Sequence, residues 1–197
     1  MQCPYEHALY VRVDNDDILL VSLYVDDLIL TGSSPQMIKL FKKAMAKAFD
    51  MTNMGLMSYF LGLEVKQGVD DIFMTQEQYA KEVLKRFRMG DCNPINTPVD
   101  CRTKLSKSDE GKTVDPTHFK SLVGSLRYLT CTRPNILYRV GLVSRFIEEP
   151  KETHWKAAKR ILRYVRGTLN HRLFYSHSNN SQLVGYSDSD WGGDCDD

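Results

Sequence analysis

The chain has 197 residues, 42% hydrophobic and 26% charged, and 26 Lys/Arg against 25 Asp/Glu leave a net charge of +1. This is ordinary globular composition, long enough for one or two domains with a sizeable core, and it excludes a globally basic nucleic-acid binder. No apolar run approaches the ~18 residues of a membrane span, no secretory signal precedes the first expected strand, and five scattered cysteines without a C-x-x-C pair suit a reducing intracellular compartment.

In chain order, residues 8–13 read as a strand, 14–17 as an acidic turn and 18–25 as a second, Ile/Leu/Val-rich strand. A third strand follows Asp26-Asp27, so the three form an antiparallel meander with this pair at its second turn. An unpaired carboxylate is costly away from water, and two of them about 5 Å apart repel by about 3 kcal/mol at an effective dielectric near 20. Two readings fit the pair. One is a polar turn, although its centre lacks the Gly or Asn that a two-residue hairpin favours. The other is a site for Mg²⁺, which takes one or two carboxylates plus substrate phosphates.

Ser34-Pro35 opens a helix with an N-cap and Pro at its first position. Its expected apolar face is Leu40, Phe41, Ala44, Met45 and Ala48, opposite Lys39, Lys42, Lys43 and Lys47. Residues 55–65 and 72–75 read as a hairpin turning near Gln67-Gly68. Thr75 and Gln78 suggest a capping box for a helix running to Arg88, with Tyr79, Val83 and Phe87 on one face. Residues 91–115 are loop-like. Asp115-Pro116 caps a helix with Phe119, Leu122, Val123, Leu126 and Leu129 inward; Arg133-Pro134-Asn135 breaks the chain, and 136–147 resumes as helix.

Pro150 opens a further helix ending near Gly167, with Trp155, Ala158, Leu162 and Val165 inward. Lys156, Lys159, Arg160, Arg163 and Arg166 recur on another face. Between positions 151 and 172 only Glu152 offsets the basic residues. The stripe suits either a solvated face or contacts to the phosphates of a duplex. Residues 173–176 and 183–187 read as two strands before an acidic end.

Tyr24-Val25-Asp26-Asp27 between two apolar strands resembles the Y-x-D-D motif of reverse transcriptases, and the string 23–32 is similar to the plant form of Ty1/copia-type retrotransposon Pol polyproteins. Tyr59-Phe60-Leu61-Gly62-Leu63-Glu64-Val65 resembles that family's primer-grip region. Ser121-Leu122-Val123-Gly124-Ser125-Leu126-Arg127-Tyr128-Leu129 with Thr132-Arg133-Pro134-Asn135-Ile136 resembles its thumb segment, and Tyr186-Ser187-Asp188-Ser189-Asp190-Trp191 its first ribonuclease H strand.

The resemblance implies an α+β fold: a partial polymerase palm of antiparallel hairpins plus helices, then a helical thumb/connection and the first strands of a ribonuclease H-like domain. The expected parts are 1–90 palm, 91–114 linker-like loop, 115–170 thumb/connection and 171–197 truncated ribonuclease H-like start. It further implies RNA-directed DNA synthesis, in which a primer 3′ hydroxyl attacks the α-phosphate of a deoxynucleotide between two metal ions.

In that scheme Asp26 and Asp27 are catalytic and hold Mg²⁺ (or Mn²⁺), and Tyr24 and Val25 line the primer end. Asp188 matches the first ribonuclease H metal ligand, and the basic stripe meets the primer–template. The implied partners are RNA/DNA primer–template, deoxynucleotides and an upstream polyprotein segment, with no membrane. The implied location is intracellular, in a cytoplasmic virus-like particle or the nucleus. The mechanism also needs a third palm carboxylate and a nucleotide-holding fingers region, so metal and activity are expected only in the complete enzyme, and ribonuclease H activity is expected to be absent. The alternative is a non-catalytic nucleic-acid-binding or inert remnant of a decayed element.

Overall fold

The computed structural model describes residues 1–100, 104–176 and 185. The chain divides into two compact units, Met1–Met57 and Ser58–Asp197.

The first unit is the expected meander. Strands β1 (Leu9–Asp14), β2 (Asp17–Tyr24) and β3 (Asp27–Gly32) pair antiparallel in the order β1-β2-β3. The register pairs Asp14 with Asp17 and Tyr24 with Asp27, so both connections are two-residue turns, Asn15-Asp16 and Val25-Asp26. The second turn therefore lies one residue earlier than expected, and Asp27 opens β3. Leu19 and Val21, alternate residues on one face of β2, are buried.

Helix α1 (Pro35–Ala48) follows and packs on β3 without fully burying any residue. Phe41 and Met45 are half-buried as expected, together with Met37 and Ile38. Leu40, Ala44 and Ala48 are exposed, because a single helix on a three-stranded sheet covers a narrower stripe than the sequence offers. The Ser34 side chain makes no capping bond. Its neighbour Ser33 instead donates to Asp17 Oδ1 (3.1 Å) and accepts from the Ile18 N–H (2.9 Å), tying the end of β3 to the start of β2.

The second unit combines a sheet with helices. Strands β4 (Tyr59–Phe60), β5 (Leu63–Gln67), β6 (Asp71–Thr75) and β7 (Leu173–Ser176) form an antiparallel sheet in the order β4-β5-β6-β7. The strand at 173–176 thus pairs with β6, Phe73 opposite Phe174. The strand expected at 183–187 and the string from Tyr186 to Trp191, with Asp188, lie outside the described residues.

The helices are α2 (Glu77–Arg86), α3 (Pro116–Leu129), α4 (Leu137–Ser144) and α5 (Glu152–Gly167), with a 3₁₀ turn at Pro134–Ile136. The expected inward faces are joined by Ala80, Leu84 and Ile161, while Tyr79 and Trp155 are only partly buried. Phe119, Leu122, Val123, Leu126 and Leu129 of α3 meet Val83 and Leu84 of α2, Val140 and Val143 of α4, and Ala158, Ile161, Leu162 and Val165 of α5 in one core. The helix expected over 136–147 is shorter, since Pro134 tightens its first turn to 3₁₀ geometry. In the loop-like stretch after α2, Leu105 is buried in the core.

The start of α2 also differs from expectation. Gln76, not Thr75, is the N-cap residue. Gln76 is buried and accepts from the Thr132 hydroxyl at 2.9 Å. The exposed helix N–H of Gln78 is satisfied from outside the helix, by Glu64 Oε1 of β5 at 2.8 Å, where a carboxylate also complements the helix dipole.

Candidate catalytic hairpin and basic helix

In the β2–β3 hairpin the strand ladder runs without a break to Tyr24↔Asp27, so residues 24–27 are set by one two-residue backbone turn. Val25 takes φ 51°, a left-handed conformation that costs a β-branched residue about 1–2 kcal/mol. Its side chain is 77% exposed. Asp26 and Asp27 are both exposed, so neither carboxylate incurs the cost of burial that the sequence raised.

Among the described residues no three His, Cys, Asp or Glu side chains gather closely enough to hold a metal ion. The turn offers two carboxylates with open solvent before them. That suits an ion such as Mg²⁺, which keeps several waters and takes further oxygens from a substrate. A complete set of protein ligands is not present among the described residues.

In the other unit, the two strings that resembled the primer-grip and thumb regions meet. The β4–β5 connection is the two-residue turn Leu61-Gly62, with φ 48° and 81°, which explains the glycine. The Tyr128 hydroxyl of α3 donates to the Leu61 carbonyl. Its ring stands edge-on to Tyr79 of α2 at 5.0 Å. Gly62 thus marks a tight hairpin turn docked on a helix.

Arg133 is almost completely buried, and its guanidinium donates to the hydroxyl (2.8 Å) and the carbonyl of Thr168, the C-cap residue of α5. Burial pushes its pKa down from the ordinary value. The position still suits a cation, because it faces the negative end of a helix. Beside it, the Asn135 amide donates to the Tyr164 hydroxyl at 2.6 Å.

The basic residues of α5 divide by partner. Arg163 Nε donates to the Asn93 carbonyl at 2.8 Å and Arg166 Nε to the Gly90 carbonyl at 2.7 Å. Arg160 reaches Thr97 Oγ1 at 3.2 Å and lies 3.9 Å from Asp100. These three arginines fasten the stretch from residue 90 to 100 along the helix. Lys156 pairs with Glu152 one turn earlier at 2.9 Å, and Lys159 lies over the Trp155 ring at 5.3 Å.

A further buried polar side chain, His154, escaped the sequence reading. His154, at the third position of α5, stacks on Phe146 at 3.9 Å and accepts the Lys151 N–H on Nδ1 at 3.0 Å. With Nδ1 accepting, Nε2 carries the proton and donates to the Ser106 carbonyl at 3.0 Å. Thr153 adds a bond to Asp109 at 2.8 Å, so the start of α5 holds the loop before α3. A histidine three residues into a helix, where it can reach back to the N-cap N–H, was the available signal.

No helix among the described residues is long and apolar enough to cross a membrane. No solved structure matches the chain. Residues 1–101 match the family described as "Reverse transcriptase (RNA-dependent DNA polymerase)". Over 190 residues the chain is 38% identical to the retrovirus-related Pol polyprotein from transposon RE1 of Arabidopsis thaliana, a match covering 96% of this chain and 13% of that protein.

The corresponding polyprotein from transposon TNT 1-94 of Nicotiana tabacum is 37% identical over 196 residues, 95% of this chain and 15% of its own length. An uncharacterized mitochondrial protein of Arabidopsis thaliana is 39% identical over 171 residues, which is 87% of this chain and 71% of that protein. This chain therefore spans less than a sixth of the Pol polyproteins it matches. It belongs to the reverse transcriptase family, as a segment of the copia-type retrotransposon Pol polyprotein.

Proposed function

We propose that this chain supplies the carboxylate hairpin of an RNA-directed DNA polymerase, acting within a larger polyprotein on a primer–template and deoxynucleotides. The observation that carries this reading is the Val25-Asp26 turn, which presents two adjacent exposed carboxylates at the tip of a regular hairpin. Asp26 and Asp27 would hold Mg²⁺ or Mn²⁺, while Tyr24 and Val25, half and largely exposed, offer apolar surface to a primer end. A bound divalent ion supplies charge neutralisation to a transferring phosphoryl group. The chain's own part is to fix the two carboxylates on a ladder whose register leaves them no freedom to slip.

In the same reading the hairpin unit is part of a palm, and the helical bundle is thumb and connection. The stripe Lys156, Lys159, Arg160, Arg163 and Arg166 follows duplex phosphates, with the arginines holding the 90–100 stretch through some of their donors and keeping others for phosphate. The third carboxylate comes from outside the described residues, as does any ribonuclease H role of Asp188.

The test exchanges this chain for the matching segment of the RE1 polyprotein and measures RNA-templated primer extension. Synthesis is expected, falling by at least ~100-fold in Asp26→Asn, a larger loss than removal of groups that merely support metal ligands. Loss of synthesis with the wild-type segment, or full synthesis by Asp26→Asn, overturns the proposal.

A further inference from the structure

Between α4, α5 and the stretch before α3 lies a cavity of about 470 Å³. That volume is in the range of sites for small organic ligands. Its floor is apolar, made by Leu105, Leu142, Val143, Ala157 and Ile161. Of these, Leu105, Val143 and Ile161 are buried. Among the described residues, five cationic side chains also line it, Arg139, Lys156, Lys159, Arg160 and Arg163, against the one carboxylate of Asp100.

Solvated surface cations do not explain this arrangement. Arg160 Nε is shielded from water and has no hydrogen-bond partner. Of the other two nitrogens of that guanidinium, one reaches Thr97 Oγ1 at 3.2 Å and one lies 3.9 Å from Asp100, so the group is fixed in place at the cavity wall. Of the other cations, Lys156 pairs at the surface with Glu152 at 2.9 Å.

We infer that this cavity is a binding site for an organic phosphate monoester, with its apolar body on the Leu142–Val143–Ile161 floor and its phosphate among Arg160 and the neighbouring cations. A phosphate monoester carries about −1.5 to −2 charges at neutral pH and several strong acceptors. It matches an excess of cations that a monoanion would leave largely uncompensated, and arginine is the side chain best shaped to bind it. The body is either a nucleoside or an alkyl chain; both are flat or slim enough for the floor. This assignment uses neither carboxylate of the hairpin, but it shares Lys156, Lys159, Arg160 and Arg163 with the stripe proposed for duplex phosphates.

The experiment is calorimetric titration of the full chain with adenosine 5′-monophosphate, octyl phosphate, inorganic phosphate and octanol. One of the two organic phosphates is expected to bind at least 10-fold more tightly than inorganic phosphate or octanol, and which of them does so identifies the body. Ala157→Phe, which fills the floor without changing charge, is expected to weaken that binding by 10-fold or more, and Arg160→Met to do the same. Equal affinity for inorganic and organic phosphate, no binding of either organic phosphate, or affinity unchanged by Ala157→Phe overturns the assignment. The probe comparison on the unsubstituted chain is decisive even where a substituted chain fails to fold.

Discussion

The Tyr128 hydroxyl donates to the Leu61 carbonyl across 67 positions of sequence, joining the β4–β5 turn to the middle helix of the bundle. The carbonyl is exposed enough for water to replace the lost donor. Tyr128→Phe is therefore expected to destabilise the second unit by only about 1 kcal/mol, because the edge-on contact with Tyr79 survives. Gly62→Ala is expected to cost more, about 1–2 kcal/mol, since it forces a side chain into φ 81°. Urea unfolding followed by circular dichroism measures both, and a Gly62→Ala variant as stable as Tyr128→Phe would contradict the turn geometry.

The hairpin tip gives a second prediction. Val25 and Asn15 occupy equivalent first positions of two-residue turns, at φ 51° and 54°. Asparagine tolerates that region and valine does not. Val25→Gly is expected to stabilise the first unit by about 0.5–1 kcal/mol, while Asn15→Gly changes it by a few tenths at most. Amide exchange in β2 and β3 reads the difference. Equal effects at both turns would show that Val25 is not strained.

These two turns mark the limit of what the sequence disclosed. Strands and helices were legible because their apolar periodicity is long and regular, as in Phe119, Leu122, Val123, Leu126 and Leu129. Turn position was not, because Val25-Asp26-Asp27 contains no glycine to fix which pair bends. Nor could pattern alone find Glu64 at the start of α2 or Arg133 at the end of α5, since both act on helix ends distant in sequence. The hairpin motif and the basic stripe were both visible in the sequence. That two of the stripe's arginines bind backbone carbonyls of the 90–100 stretch was not, because carbonyls leave no trace in a sequence.

The cap supplied by Glu64 is testable by itself. Glu64→Ala leaves the Gln78 N–H without its acceptor and is expected to cost about 1 kcal/mol. Glu64→Gln keeps an oxygen there but loses the charge–dipole part, a few tenths of that. Thermal unfolding of the pair should rank wild type above Glu64→Gln above Glu64→Ala; the reverse order of the two variants would rule out a capping role.

Acid should act on α2 as well. The side-chain hydrogen bond from Lys81 at 2.7 Å, and then its charge, hold the Glu77 carboxyl below the ordinary 4.5. A carboxyl whose native pKa is lowered contributes stability that is present above its unfolded value and is lost as pH falls through the native one. The pair is exposed, so its contribution is only about 0.3–0.5 kcal/mol. Glu77→Gln should therefore leave a slightly flatter decline of stability below pH 4.5, with the difference erased in high salt. A difference between the two chains that persists in high salt would assign it to something other than this ion pair.

The last prediction separates the two duties of the basic helix. Arg163 and Arg166 hold the Asn93 and Gly90 carbonyls, so replacing them loosens the 90–100 stretch whatever else they do. Among the described residues, Lys156 pairs at the surface with Glu152, Lys159 contacts the Trp155 ring, and neither binds backbone. If α5 follows a duplex, the double variant Lys156→Gln, Lys159→Gln should keep its unfolding transition while weakening duplex binding. Each lost phosphate contact removes about 0.9 from the slope of log affinity against log salt, so the slope should flatten by about two units. Arg163→Ala should instead lower stability first. A double-lysine variant with an unchanged salt slope would assign α5 to holding the loop and remove it from any nucleic-acid surface.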